Sequence, residues 1–143
     1  MSVTYFPCFA ILEKGRVVFS FSSIRSIQPL FETCVFQYLS SSDANAETSP
    51  ATGQLVRVTD VQLYHLYGYK VSERYMLFLL VATTVADTAI TELLQSLYSI
   101  FISNQLKPLT RSRFRDDRED ALVSREIQLR LEKAEKDRSE ERR

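Results

Sequence analysis

A single histidine, His65, is the side chain of this sequence best suited to accept or donate a proton at neutral pH. It lies within residues 61–71, where side chains alternate as in a β-strand, and its immediate neighbours are tyrosines and leucines. The sequence around it shows no serine or cysteine at a recognisable nucleophile turn and no fixed acidic partner. We therefore interpret His65 as a structural residue, half-buried and hydrogen bonded, and expect a protein that is not an enzyme.

Cysteines, carboxylates and glycines form no recognisable site either. Cys8 and Cys34 lie far apart in apolar surroundings, which predicts two reduced, buried thiols; with one histidine they cannot supply the four ligands of a structural metal site. The acidic residues within 116–120 stand among arginines, a pattern typical of a solvated helix start. The three glycines are scattered and make no phosphate-binding fingerprint. We therefore predict no metal and no cofactor.

Charge and hydropathy restrict the classes of partner. The 143 residues carry 18 basic and 18 acidic side chains, so the chain as a whole offers no long-range attraction to nucleic acid or to an anionic membrane. The most hydrophobic window, residues 76–86, is much shorter than the roughly 20 residues that a helix needs to cross a bilayer. No targeting signal is recognisable at the start. We expect a cytosolic protein that binds no nucleic acid and does not insert directly into a membrane.

The hydrophobic periodicity predicts the element order β-β-α-β-β-β-α-α. Residues 76–81 are apolar at every position, which predicts a central strand covered on both faces. With one face of the sheet covered by helices, we expect the other face, or a sheet edge, to be left for a neighbouring protein. The predicted segments are strands at 6–12, 17–21, 54–58, 61–71 and 75–82, a helix from Gln28 or Pro29 to Leu39, a loop at 40–53, a helix at 88–106 and a charged last helix.

After Pro108 the composition changes, which predicts a domain at residues 1–110 and a charged C-terminal helix or tail at 111–143. Apolar residues repeat along this tail every three or four positions as a thin stripe. A solvated single helix that frays beyond about Lys136 and a helix that docks through the stripe, onto a partner or onto the domain itself, both fit this pattern. The stripe consists of Val123, Ile127, Leu131 and Ala134.

Several stretches resemble sedlin-type subunits of the TRAPP vesicle-tethering complex, in particular the sedlin-like paralogue. They are residues 7–12 (Pro-Cys-Phe-Ala-Ile-Leu), 66–69 (Leu-Tyr-Gly-Tyr), 75–81 and 94–101. The resemblance implies an α+β fold, a longin-like (profilin-like) two-layer domain with a five-stranded antiparallel sheet. It also implies a non-catalytic structural or adaptor subunit that supports nucleotide exchange on a Rab-type GTPase in ER–Golgi or Golgi vesicle transport.

Other TRAPP subunits, both longin-like and Bet3-like chains, are the partners that this resemblance implies, at a cytoplasmic location peripheral to ER and Golgi membranes. Two alternatives stay open: another longin-domain trafficking component, such as an adaptor small chain or a small-GTPase scaffold, and a small ligand-binding or enzymatic domain. Candidate contact residues come from the polar flank of the first helix, a small basic cluster and the stripe of the last helix. They are Gln28, Glu32, Gln37, Arg111, Arg113, Val123, Ile127 and Leu131.

Overall fold

The computed structural model describes residues 4–44, 52–83, 85–105 and 117–141, with side chains described for all of these except 41–44, 104–105, 117–122 and 139–141. The chain forms two compact units, Met1–Leu94 and Gln95–Arg143. The predicted boundary between residues 110 and 111 lies outside the described residues and stays a prediction. The elements are β1 (Cys8–Glu13), β2 (Arg16–Ser22), α1 (Gln28–Ala44), β3 (Leu55–Val61), β4 (Tyr64–Lys70), β5 (Tyr75–Ala82), α2 (Asp87–Gln105) and α3 (Asp117–Glu141).

This order confirms the predicted α+β fold class, with the predicted element order β-β-α-β-β-β-α-α. The five strands form one antiparallel sheet in the order β2-β1-β5-β4-β3. β5 lies at the centre, as its uninterrupted apolar sequence predicts, and every residue in it except Met76 is buried. β2 and β3 are the two outer strands.

α1 covers one face of the sheet. Ile27, Phe31 and Val35 recur every four residues and are buried in one cluster with alternate residues of β1, Ala10 and Leu12 among them. Burying a phenylalanine in this way contributes about 1.5–3 kcal/mol relative to leaving it exposed. α1 begins at Gln28, so Pro29 stands in the first turn, where its missing N–H has no helical partner to lose.

The opposite face of the central strands is buried as well. Phe9 and Ile11 of β1, and Leu77 and Leu79 of β5, are fully buried although they point away from α1. An open sheet face is therefore excluded at β1 and β5, in agreement with the coverage on both faces predicted for residues 76–81, and a sheet edge left for a neighbouring protein stays a prediction. The physical reason is in the sequence of both strands, because each is apolar at even and odd positions and would expose a continuous apolar surface if either face stayed open.

Two boundaries differ from the prediction. α1 continues to Ala44 instead of ending at Leu39, since each residue added to an existing helix gains a hydrogen bond and a polar segment needs no burial to extend it. The run predicted as one strand from residue 61 is broken by a two-residue turn at Gln62 and Leu63. Gln62 has a positive φ of 55° and Leu63 is 83% exposed, so Val61 belongs to β3.

α3 extends to Glu141, beyond the predicted fraying point at Lys136. All four residues of its apolar stripe are buried, with Ile127 fully inaccessible to solvent. The interpretation of α3 as a freely solvated helix is therefore wrong for this stripe. Within the second unit, Arg130 Nε donates a hydrogen bond to Ser96 Oγ of α2 over 3.0 Å.

Candidate interaction surface

A groove between α1 and β2, hereafter the α1–β2 groove, holds the most exposed aromatic side chain of α1. Phe36 is 52% exposed, and Val17 on β2 is 41% exposed. Single exposed apolar residues are ordinary, but these two line the same groove of about 180 Å³ on an outer strand of the sheet. The groove is lined by Ala10, Val17, Ser20, Phe31, Glu32, Val35 and Phe36.

The groove follows from the spacing of residues along α1. Phe31 and Val35 point into the core and form its floor, whereas Glu32 and Phe36, four residues apart, share its rim. Leu30 is also exposed, at 44%, but it lies roughly 120° round the helix from Phe36. The groove therefore presents an apolar floor and one aromatic edge with a carboxylate beside it.

The structure places the predicted contact residues at different parts of the chain. Glu32 lines the α1–β2 groove and accepts a hydrogen bond from Gln28 Nε2 over 3.2 Å, whereas Gln28 itself is not part of the lining. Gln37 shares a shallow concavity with Phe36. Arg111 and Arg113 lie outside the described residues. Val123, Ile127 and Leu131 are buried on α3 in the second unit. Contact of any of these residues with a partner stays a prediction.

His65 has an acidic partner that the sequence analysis missed. Its Nδ1 lies 2.6 Å from Asp60 Oδ1, the residue directly opposite it in the β3–β4 ladder, and Arg57 donates to the same carboxylate over 2.7 Å. Hydrogen bonds from Arg57, and then from His65, lower the pKa of Asp60. A register shift between Arg57 and Thr59 brings Asp60 into this position. The expectation of no fixed acidic partner is therefore wrong, whereas the half-buried, hydrogen-bonded histidine is as predicted.

A carboxylate that orients an imidazole also occurs in hydrolytic triads, where the oriented histidine is the general base that activates a nucleophile. Among the described residues Asp60 is the sole hydrogen-bond partner of His65, and the nearest aromatic ring, that of Tyr67, meets the imidazole edge-on at 6.3 Å. Cys8 is buried in the core, and this burial raises the pKa of its thiol, which opposes nucleophilic use. The described residues therefore bring no nucleophile to the imidazole.

The two cysteines are both free thiols, Cys8 buried and Cys34 half-buried. Within the described ranges no three histidine, cysteine or acidic side chains come together in a way that would hold a metal ion. The part of the chain that the structure describes also contains no helix both long and apolar enough to cross a bilayer.

Among solved structures the chain is similar to the crystal structure of a Roadblock/LC7 domain from Streptomyces avermitilis. The two share 14% sequence identity at a TM-score of 0.41, over 68% of this chain and 87% of that one. No protein-family model matches the chain, and a comparison with curated proteins finds no match.

Proposed function

We propose that this chain is a non-catalytic subunit of a TRAPP-type vesicle-tethering assembly, which binds neighbouring subunits and so supports nucleotide exchange on a Rab-type GTPase. The observation that carries the proposal is the α1–β2 groove, where a half-exposed Phe36 stands beside Val17 on an outer strand. The finer identity of the assembly rests on the sequence resemblance to sedlin-type subunits. The partners would be the longin-like and Bet3-like chains of such a complex.

The groove has the features of a contact site between proteins. Aromatic anchors in apolar pockets contribute a large share of binding energy, and Phe36 would bury roughly half of its surface on contact. Glu32 in the lining of the groove, with Gln28 hydrogen bonded to it, would supply a polar rim. An outer strand and one helix flank can together form an interface of ordinary size, about 800 Å² per partner.

Absence of catalysis is part of the same proposal. The imidazole of His65 is held by Asp60 and Arg57 in a surface network that also occurs in purely structural proteins. A structural role for the network predicts that His65→Ala alters stability slightly and removes no activity. Association with ER or Golgi membranes would then be peripheral, without insertion of the chain into the bilayer.

Native mass spectrometry of the tagged chain, purified from its source cells, tests the proposal. The expected result is a set of small longin-like and Bet3-like chains bound to the wild type. Phe36→Ala should weaken their retention by about tenfold or more, because truncating an interface anchor costs about 2 kcal/mol. Leu63→Ala is the matched control, since Leu63 is 83% exposed in the β3–β4 turn and does not line the groove.

Two results would contradict the proposal in different ways. Co-purification of adaptor chains with the wild type, and their loss from the Phe36→Ala protein, would refute membership of a TRAPP-type assembly and support the α1–β2 groove as a contact site. Full retention of the TRAPP-type chains by the Phe36→Ala protein would refute the α1–β2 groove as the contact site and support membership of a TRAPP-type assembly.

A further inference from the structure

A second cavity lies at the end of the sheet where the β1–β2 turn and the β4–β5 connection come together. We name it the turn-end cavity, and its volume is about 140 Å³. α1 closes one side through Tyr38 and Leu39, and none of its lining belongs to the α1–β2 groove. The polar and charged residues that line it include Lys14, Tyr38, Lys70, Ser72, Glu73 and Arg74.

The turn-end cavity carries an excess of positive charge although the chain as a whole is neutral. Its lining includes Lys14, Lys70 and Arg74 but only one carboxylate, that of Glu73. Arg74 is paired with Glu13, which neutralises it. Lys70 Nζ stands 3.4 Å from Glu73, whose side chain is almost wholly exposed, so this ion pair is weak.

Lys14 is the cation left over. Its ammonium contacts no carboxylate of the described residues. The backbone that carries Lys14 forms a tight two-residue turn between antiparallel strands, because Lys14 and Gly15 both have positive φ, 49° and 81°, and the Lys14 side chain is exposed to solvent. The β1–β2 turn therefore contributes to the cavity lining a cation that no carboxylate of the described residues neutralises.

Besides these cations, the lining of the cavity contains two hydroxyl groups that can donate hydrogen bonds. Ser72 Oγ accepts hydrogen bonds from the backbone N–H groups of Arg74 and Tyr75, each at 3.2 Å, and this leaves its own proton to be donated. The Tyr38 hydroxyl makes no hydrogen bond to the described residues, although its ring packs edge-on against Phe78. Burial raises the pKa of Tyr38, so the hydroxyl stays a neutral donor at physiological pH.

We propose that the turn-end cavity binds a phosphate group, either as inorganic phosphate or as a phosphomonoester such as a lipid headgroup. A phosphate dianion carries two negative charges, so it can take the place of Glu73 beside Lys70 and also neutralise Lys14. A ligand with a single carboxylate would only replace the one negative charge of Glu73 and would leave Lys14 unneutralised. Lysine ammonium groups and hydroxyl protons are the donors with which proteins bind phosphate oxygens. This inference is independent of the proposed function, because it uses a different surface of the first unit.

Isothermal titration of the full chain with inorganic phosphate at low salt tests the proposal. Saturable binding is expected, and Lys14→Met and Lys70→Met should each weaken it by about tenfold, since each removes one charge-assisted contact. Arg25→Met is the matched control: it removes the same charge from an exposed position that does not line the cavity. Methionine keeps the aliphatic stem of each side chain, and unchanged thermal midpoints would show that all three variants fold.

Vesicle flotation distinguishes the two sources of the phosphate group. Binding to phosphatidylcholine vesicles that contain a phosphatidylinositol phosphate, but not to phosphatidylcholine alone, identifies a lipid headgroup, and inorganic phosphate should compete with it. Binding of inorganic phosphate without flotation identifies a soluble ligand. The proposal is overturned by the absence of saturable binding in both assays, or by an equal loss in the Arg25→Met protein, which would indicate nonspecific attraction.

Discussion

The burial of Ile127 on α3 predicts a stability change whose sign distinguishes a packed helix from a solvated one. Ile127 is fully inaccessible to solvent, so Ile127→Ala should lower the free energy of unfolding by about 2–5 kcal/mol through lost burial and the cavity left behind. On a solvated helix the same change would stabilise by a few tenths of a kcal/mol, because alanine is the better helix former. The two interpretations therefore predict opposite signs.

Leu129→Ala supplies the control, because Leu129 lies on the same helix and is 52% exposed. Urea denaturation followed by far-ultraviolet circular dichroism measures both variants. The free energy of unfolding of a small protein falls by about 1–3 kcal/mol per molar urea. The urea midpoint of Ile127→Ala should therefore fall by roughly 1 M or more, and that of Leu129→Ala should fall much less. Equal midpoints for the two variants, or a more stable Ile127→Ala protein, would refute the packed position of α3.

Two further predictions concern β3–β5. A Cβ at Gly68 would come within 2.8 Å of Met76 Cε, the flexible end of a side chain that can move aside, and within 3.3 Å of Phe78 Cε1, which belongs to a fully buried ring. Gly68→Ala should therefore destabilise by about 1 kcal/mol in the same urea assay, at the low end of the cost of overpacking, and full stability of this variant would contradict the close packing against Phe78. Because the pKa of Asp60 is lowered in the folded state, chiefly by Arg57, the stability that it contributes is present above its unfolded pKa of about 3.9 and is lost as the pH falls through its folded pKa. Asp60→Asn should therefore be less stable than wild type at about pH 6, and the difference should shrink as the pH is lowered below about 3.9; a difference that does not shrink would show that the carboxylate charge is not the cause.

The element order could be predicted from the sequence because the hydrophobic patterns are long and unambiguous. The unbroken apolar run of β5 predicts its central position, and the four-residue spacing of Ile27, Phe31 and Val35 predicts the face that α1 buries. These signals depend on local spacing alone. They are therefore readable without knowledge of what each element packs against.

The turn at Gln62 and Leu63 could not be predicted in the same way. Neither residue is a glycine or asparagine, the usual signals of a two-residue turn, and the alternation of side chains continues through it. The sequence prediction puts the break between the two strands at residues 59–60, so Asp60 falls in the connection and not at the strand position opposite His65. A spacing of five residues across a two-residue turn is the signal that could have identified this pair.

α1 borders both candidate surfaces, and its two flanks allow their roles to be separated. Phe36 lies on the rim of the α1–β2 groove, whereas Tyr38 and Leu39 line the turn-end cavity with the two lysines. Because neither set of lining residues includes a member of the other, Phe36→Ala should leave phosphate binding intact and a lysine variant should leave partner retention intact. A variant that lost both would indicate that the partner itself brings the phosphate group to the cavity, and the two surfaces would then belong to one interface.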